Sequence, residues 1–270
     1  MLPNRRDVLL SAAAAGAGTA VAALLGPGVR AALAAPSGRF HAEFPSHAPE
    51  DARAVVGASH TDLERVRALV TARPALAKAS WDWGFGDWET ALGAASHMGR
   101  RDIADLLLEH GAAPTIFSAA MLGQLEVVRA MVEAKPGIQR YPGPHGITLL
   151  KHAVAGGAEA KGVVEFLESL GDADTRPATA ALERAAQEPY VGTYSYGEAG
   201  DERFEVSIDD RGSLRMARAG RSGRFLFALG DHTFFPGGAE AVRIRFALNG
   251  ATAASVSIHD PDLIVTAFRV

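Results

Sequence analysis

The chain reads as two architectures in series, a solenoid of short paired helices followed by an antiparallel β domain, and three observations predict this. An apolar residue recurs at i, i+3 and i+4 in four segments, Val66/Leu69/Val70, Ile103/Leu106/Leu107, Val127/Ala130/Met131 and Val163/Phe166/Leu167, which is one buried helix face written four times. From about residue 189 the period changes from helical to two, so that Val242, Ile244, Phe246 and Leu248 share one face and Arg243 and Arg245 the other. The composition, 48% hydrophobic and 21% charged over 270 residues, is that of folded domains with room for more than one core, and it excludes disorder of the whole chain.

Taken in order, the elements define five stretches. Residues 1–35 place Arg5-Arg6 before an Ala- and Gly-rich apolar run, and residues 36–49, rich in Pro, Ser and His without periodicity, read as a linker. Residues 50–175 are short helical segments punctuated by Gly and Pro, and four helix pairs satisfy the minimum of about three units that a stack needs to bury its faces. In 176–188, Leu182 and Ala185/Ala186 predict a last helix over Ala178–Gln187 that caps the stack, with Pro189 ending it. Residues 189–270 carry eight strand-like runs: 190–196, 203–208, 213–217, 224–228, 232–235, 242–248, 255–259 and 264–269. Asp209-Asp210-Arg211-Gly212 and Asn249-Gly250 are hairpin turns, and eight short strands so joined predict a meander that curls or closes into a small barrel.

The segment Thr90-Ala-Leu-Gly-Ala-Ala-Ser-His-Met-Gly-Arg-Arg-Asp-Ile-Ala-Asp-Leu-Leu-Leu-Glu-His-Gly-Ala-Ala-Pro114 resembles an ankyrin repeat, with Gly99 between two helices and Gly111 as the stop. The equivalent positions Thr61, Gly99, Gly123 and Gly157 are 38, 24 and 34 residues apart, against about 33 in that family. Repeat two is thus preceded by a long finger, Lys78–Glu89; repeat three has lost its finger, and repeat four carries an insertion before Val163. Where the family writes Thr-Pro-Leu-His-x-Ala, this chain has Thr90-Ala-Leu-Gly-Ala-Ala95 and Thr148-Leu-Leu-Lys-His-Ala153, so the turn opening each repeat is expected to be looser. The resemblance implies protein–protein binding through fingers and concave face, with no chemistry of its own.

Asn4-Arg5-Arg6-Asp7-Val8-Leu9-Leu10 and the Ala-rich run ending near Pro36 resemble a twin-arginine export signal, which implies a chain folded before export into a periplasm or beyond. Cleavage and retention as an anchor are both compatible with the run. Without residues 1–35 the chain has 24 basic and 30 acidic residues, a net charge of −6, and no basic run that would suit nucleic acid or anionic lipid. The strand order from Tyr190-Val-Gly-Thr-Tyr194 to Ala267-Phe-Arg-Val270 resembles the small lipocalin-like domain appended to serine β-lactamase-like and peptidase proteins, an accessory with no catalytic residues to carry over.

Catalytic patterns are missing. No Ser-x-x-Lys, Gly-x-Ser-x-Gly elbow, Gly-Lys-Ser/Thr loop or Gly-x-Gly-x-x-Gly fingerprint occurs, and zero cysteines remove thiolate nucleophiles and Cys-type zinc sites. None of the nine histidines is spaced i, i+4 from another, so spacing on one helix predicts no metal site, and no cofactor is implied.

The candidate site is the finger Trp81-Asp-Trp-Gly-Phe-Gly-Asp-Trp88, which holds all three tryptophans. Trp81, Trp83, Phe85, Asp87 and Trp88 are expected either to meet a protein partner, as Trp-rich hot spots do, or to pack locally on repeats one and two. His145, in Pro142-Gly-Pro-His-Gly146, is either presented on a rigid exposed loop or hydrogen-bonded within its own turn. In the β domain, Phe204, Phe225, Phe227, Phe234, Phe235, Phe246 and Phe268 would fill a barrel of eight strands, or leave a small apolar pocket. The reading is therefore a non-enzymatic, exported protein-binding module of a bacterial cell envelope. Its alternatives are binding of a small apolar ligand in the barrel and service as an accessory to a separate hydrolase.

Overall fold

The computed structural model describes residues 46–197, 200–221, 223–260 and 263–270. The expected export signal, 1–35, and most of the linker lie outside these residues. Among the described residues no helix is long and apolar enough to cross a membrane.

Four antiparallel helix pairs form the first half: α1 Pro49–Ala58 with α2 Leu63–Ala72, α3 Ala91–His97 with α4 Arg101–Glu109, α5 Ile116–Met121 with α6 Leu125–Ala134, and α7 Leu149–Ala155 with α8 Lys161–Leu170. Local chemistry sets several starts. Asp62 caps α2 by accepting from Arg65 N–H at 2.9 Å, Thr90 caps α3 by accepting from Gly93 N–H at 2.9 Å, and Thr115 and Ser118 form a reciprocal capping box on α5. Thr148 precedes α7 in the matching place, but its hydroxyl turns away to donate to Asp174 Oδ1 at 2.5 Å.

Three of the four predicted apolar faces lie as expected, with Val66/Val70, Ile103/Leu106/Leu107 and Val163/Leu167 buried. The third is shifted by one residue: α6 buries Val128 and Val132, while Val127 is 46% exposed. Adjacent valines make the helical period ambiguous there, and packing against α5 and α8 decides it. Gly99 adopts φ +67°, and a Cβ on it would run into the Ala155 carbonyl. Repeats two and four therefore approach closely at Gly99 and Ala155. The insertion before Val163 is a 3-10 turn, Gly157–Ala160.

Residues 178–187 depart from expectation. Only Arg184–Gln187 is helical, named α9; Ala180 instead bridges Ala228, Leu182 packs on the barrel core, and Ala185 and Ala186 are exposed. The segment belongs to the barrel because its one large apolar residue finds a partner there, not on the stack.

After a short hairpin of β1 Ser80–Asp82 and β2 Trp88–Thr90, the second half is a closed barrel of eight antiparallel strands, each paired with its neighbour in sequence and the last with the first. These are β3 Gly192–Tyr196, β4 Glu202–Ile208, β5 Leu214–Arg218, β6 Arg224–Gly230, β7 Thr233–Pro236, β8 Arg243–Asn249, β9 Thr252–Asp260 and β10 Leu263–Arg269. Closure by β10 on β3 removes the free edge strands that would otherwise invite aggregation. Tyr190, Tyr194, Phe204, Met216, Phe234 and Phe246 fill the middle.

The phenylalanine set does not act as one group. Phe225 and Phe227 are each 41% exposed, Phe268 is 63% exposed, and Phe235 stacks on Phe227, on the opposite side of β7 from Phe234. In the run Phe225-Leu-Phe-Ala228 both parities are apolar, and it is Leu226 and Ala228 that face inward.

Candidate functional site

The finger before repeat two is a short hairpin, β1 Ser80–Asp82 and β2 Trp88–Thr90, with Trp81 opposite Glu89. Its loop carries three successive left-handed residues, Gly84, Phe85 and Gly86, at φ +114°, +61° and +79°. Holding a phenylalanine there costs on the order of 1 kcal/mol or more, and the Phe85 ring is offset by packing on the barrel core. Asp82 accepts from Gly84 N–H at 2.8 Å, which closes the loop.

Alternation along β2 leaves Trp88 63% exposed and turns Glu89 completely inward. Glu89 is the centre of a cluster. Its Oε2 accepts from the Trp83 indole N–H at 2.7 Å and lies 3.4 Å from Nε2 of His60; its Oε1 lies 2.9 Å from Nε2 of His97 and 3.3 Å from Nε2 of His145. Beside it the buried Asp87 accepts from the His145 backbone N–H at 2.9 Å, faces His145 Nδ1 at 2.6 Å and forms an ion pair with Arg224 at the start of β6.

Burial opposes both charges in this group. It would raise the Glu89 carboxyl, but hydrogen bonds from His145 and His97, with the positive charge of His145 and His60, hold it down at about 2. It would lower His145, but hydrogen bonds and charge from Asp87 and Glu89 raise the imidazole to about 9. His152, on α7 beside the cluster, has no such partner: it is fully buried, neither ring nitrogen is hydrogen-bonded, and burial, then the charge of His97, lowers it to about 3.

The cluster corrects the expectations for several residues. His145 is neither displayed on an exposed loop nor bonded within its own turn; it sits at φ +61° with its ring three-quarters buried and is held by Asp87, 58 residues away. Trp81 packs on the stack core with Arg53 5.9 Å from the centre of its ring, Trp83 lies against the His60 and His145 rings, and Phe85 reaches into the barrel. Asp87 is buried, which leaves Trp88 as the openly exposed tryptophan of the finger.

His60, Glu89, His97 and Arg224 were missed because a spacing rule for one helix cannot see convergence between repeats. One signal was available. With the repeats written beneath one another at Thr61 and Gly99, His60 falls beside Met98, one residue from His97. His145 joins them because repeat three lacks a finger, so the fingers of repeats two and four become neighbours.

Beneath Phe85 the barrel mouth holds an open cavity of about 600 Å³. Tyr196, Phe204, Val242, Ile258 and Val265 line it from the barrel, and Trp81, Trp83 and Phe85 from the finger. Of the arginines at its wall, Arg218 donates to both oxygens of Glu202 at 3.0 and 2.7 Å, Arg224 pairs with Asp87 and Arg53 stands over the Trp81 ring; Arg221, Asp82 and Asp260 are the other charged residues there.

The ankyrin-repeat family matches the chain over residues 87–118, which run from Asp87 through α3 and α4 into α5. Residues 87–118 are an ankyrin repeat. No curated protein matches the chain. The ankyrin repeat holds Asp87, Glu89 and His97 of the cluster, and ankyrin stacks in general are surfaces for protein partners.

Proposed function

We propose that this chain is a non-catalytic binding protein that takes a small, uncharged, largely apolar molecule into the barrel mouth beneath the finger. The cavity carries this reading: its walls come from inward-facing positions of the strands, and its size suits one small ligand. Trp81, Trp83, Phe85, Tyr196 and Phe204 bring aromatic rings to the lining, and its charges are of both signs: Arg218 is paired with Glu202 and Arg224 with Asp87, while Arg53 and Arg221 share the wall with Asp82 and Asp260, which leaves no excess charge to select an anion. The finger then serves as the roof of a pocket.

An uncharged fluorescent probe, N-phenyl-1-naphthylamine, should bind the folded chain with one-to-one stoichiometry. Val265→Trp, which puts an indole into the cavity from β10, should weaken that binding by at least about tenfold, the effect of filling a pocket of this kind. Equal binding by both proteins would reject the barrel mouth as the site.

The ankyrin repeat and the exposure of Trp88 favour a second, compatible reading, an adaptor that holds a protein partner on the stack; its setting in a cell envelope rests on the resemblance of residues 1–35 to an export signal alone. A partner captured from periplasmic extract by the folded chain and lost from folded Trp88→Ala supports that surface. Retention by both proteins removes Trp88 from it.

A further inference from the structure

The histidine cluster is built for something more than mutual hydrogen bonding. Nδ1 of His60 lies 3.2 and 3.1 Å from the carbonyl oxygens of Val56 and Gly57. A carbonyl only accepts, so Nδ1 carries a hydrogen, and Nε2 is the ring atom turned toward Glu89 Oε2. His145 repeats the arrangement, with Nδ1 donating to Asp87 Oδ2 and Nε2 turned toward Glu89 Oε1. Carboxylate oxygens also only accept. Three imidazole nitrogens therefore converge on one fully buried carboxylate, Nε2 of His97 among them at 2.9 Å from Oε1, which is how the ligands of a shared cation are arranged.

The spacing fits a particular kind of positive charge. Zinc holds imidazole nitrogen and carboxylate oxygen at about 2.0–2.2 Å, so two ligand atoms on one tetrahedral ion stand roughly 3.3 Å apart. Nε2 of His97 and of His145 lie 2.9 and 3.3 Å from Glu89 Oε1, and Nε2 of His60 lies 3.4 Å from Oε2 of the same carboxylate. Across the whole group, one donor atom from each of the four residues lies within 4.8 Å of all the others. We propose that His60, His97, His145 and Glu89 bind one divalent transition-metal ion of the zinc type.

The donor set selects the ion. Three imidazoles and one carboxylate suit Zn²⁺, Co²⁺ or Ni²⁺, whereas Ca²⁺ and Mg²⁺ require mainly oxygen. The supports behind the ligands match those of metal-binding histidines: a carboxylate, Asp87, holds His145, and backbone carbonyls hold His60. Four protein ligands fill a tetrahedral sphere, so the site is of the closed, structural kind. Its role is to fasten the end of α1, the finger, α3 and the loop before α7 to one point. The four ligands do not line the barrel-mouth cavity, so this inference stands or falls apart from the ligand reading.

The test uses the untagged full chain stripped of metal with a chelator. Calorimetric titration with Zn²⁺ should show one site per chain, and Co²⁺ should develop the intense visible bands of a four-coordinate ion. His60→Ala and His97→Ala, with folding confirmed by circular dichroism, should each weaken Zn²⁺ by about 100-fold or more, the upper end of what removing a supporting residue does. His152→Leu, which alters a neighbouring histidine outside the ligand set, should bind within threefold of the parent. Extended X-ray absorption on the Co²⁺-loaded parent should count about three imidazoles, a readout that does not depend on any variant folding. No stoichiometric Zn²⁺ or Co²⁺ binding by the folded parent overturns the proposal, as does binding that His60→Ala and His97→Ala leave at parent strength.

Discussion

Arg224→Met is expected to destabilise the chain by about 3–5 kcal/mol, the range seen when one partner of a buried ion pair is removed. The reason is what it leaves behind. Asp87 is 2% exposed, and without the guanidinium its charge rests on His145 alone, with almost none of the carboxylate in contact with solvent. Asp87→Asn combined with Arg224→Met should recover at least half of the loss, because an uncharged amide can still accept from the His145 backbone N–H. Urea denaturation of the four proteins of this cycle gives the coupling directly. All three tryptophans lie in the finger, so tryptophan emission should report its loosening from the barrel as a red shift in Arg224→Met before global unfolding. A single-variant loss below about 1 kcal/mol would mean that Asp87 is held without Arg224.

Acid should destabilise the chain earlier than its carboxylates alone require, and His152 should account for the difference. Its imidazole titrates near 3 in the folded chain and near 6.5 when exposed by unfolding. Below 6.5 the unfolded chain therefore takes up a proton that the folded chain refuses, and stability falls as pH drops, by up to roughly 1.4 kcal/mol per pH unit. The loss levels off near pH 3, where the folded ring is protonated too. Above 6.5 this residue contributes no slope. His152→Leu should remove that component of the acid limb and should gain about 1 kcal/mol at pH 7, since two buried nitrogens without partners are replaced by methyl groups. Stability curves of the two proteins between pH 3 and 8 that run parallel would show that His152 does not set the acid limb.

Much of the architecture was legible in the sequence, because it is written in periods that survive without tertiary knowledge. The four helix pairs follow from i, i+3, i+4 spacing, and all eight barrel strands follow from alternation broken by turns such as Asp209–Gly212, where the Asp209 side chain accepts from Arg211 and Ser213 N–H. Errors fell where both faces of an element are apolar. Val127-Val128 and Phe225-Leu226-Phe227 each offer two equivalent registers, and contacts remote in sequence choose between them.

The site was less legible for a related reason. The finger announced itself by composition, and Trp83, Asp87 and His145 do belong to the cluster. Its centre, Glu89, looked like one more surface acid, and nothing local distinguishes a carboxylate that alternation turns inward from one that it turns out. His60 and His97 became neighbours only through stacking, and Arg224 only through the seating of the finger on the barrel, two steps that no window of sequence contains.

The missing finger of repeat three has a consequence for how the chain folds. An ordinary repeat array is close to one-dimensional: each unit touches the next, any unit can nucleate, and an end unit can fray or be removed with a graded loss. Here the second and fourth units meet directly, and Asp87 in the finger of the second is bound both to His145 of the loop before the fourth and to Arg224 on a strand of the barrel. Such closures must be bought with loop entropy before they return anything, so the array surrenders its piecewise character and gains a single, slower, all-or-none transition. Length can no longer be varied by whole repeats, since one more finger between those two units would push the second and fourth apart.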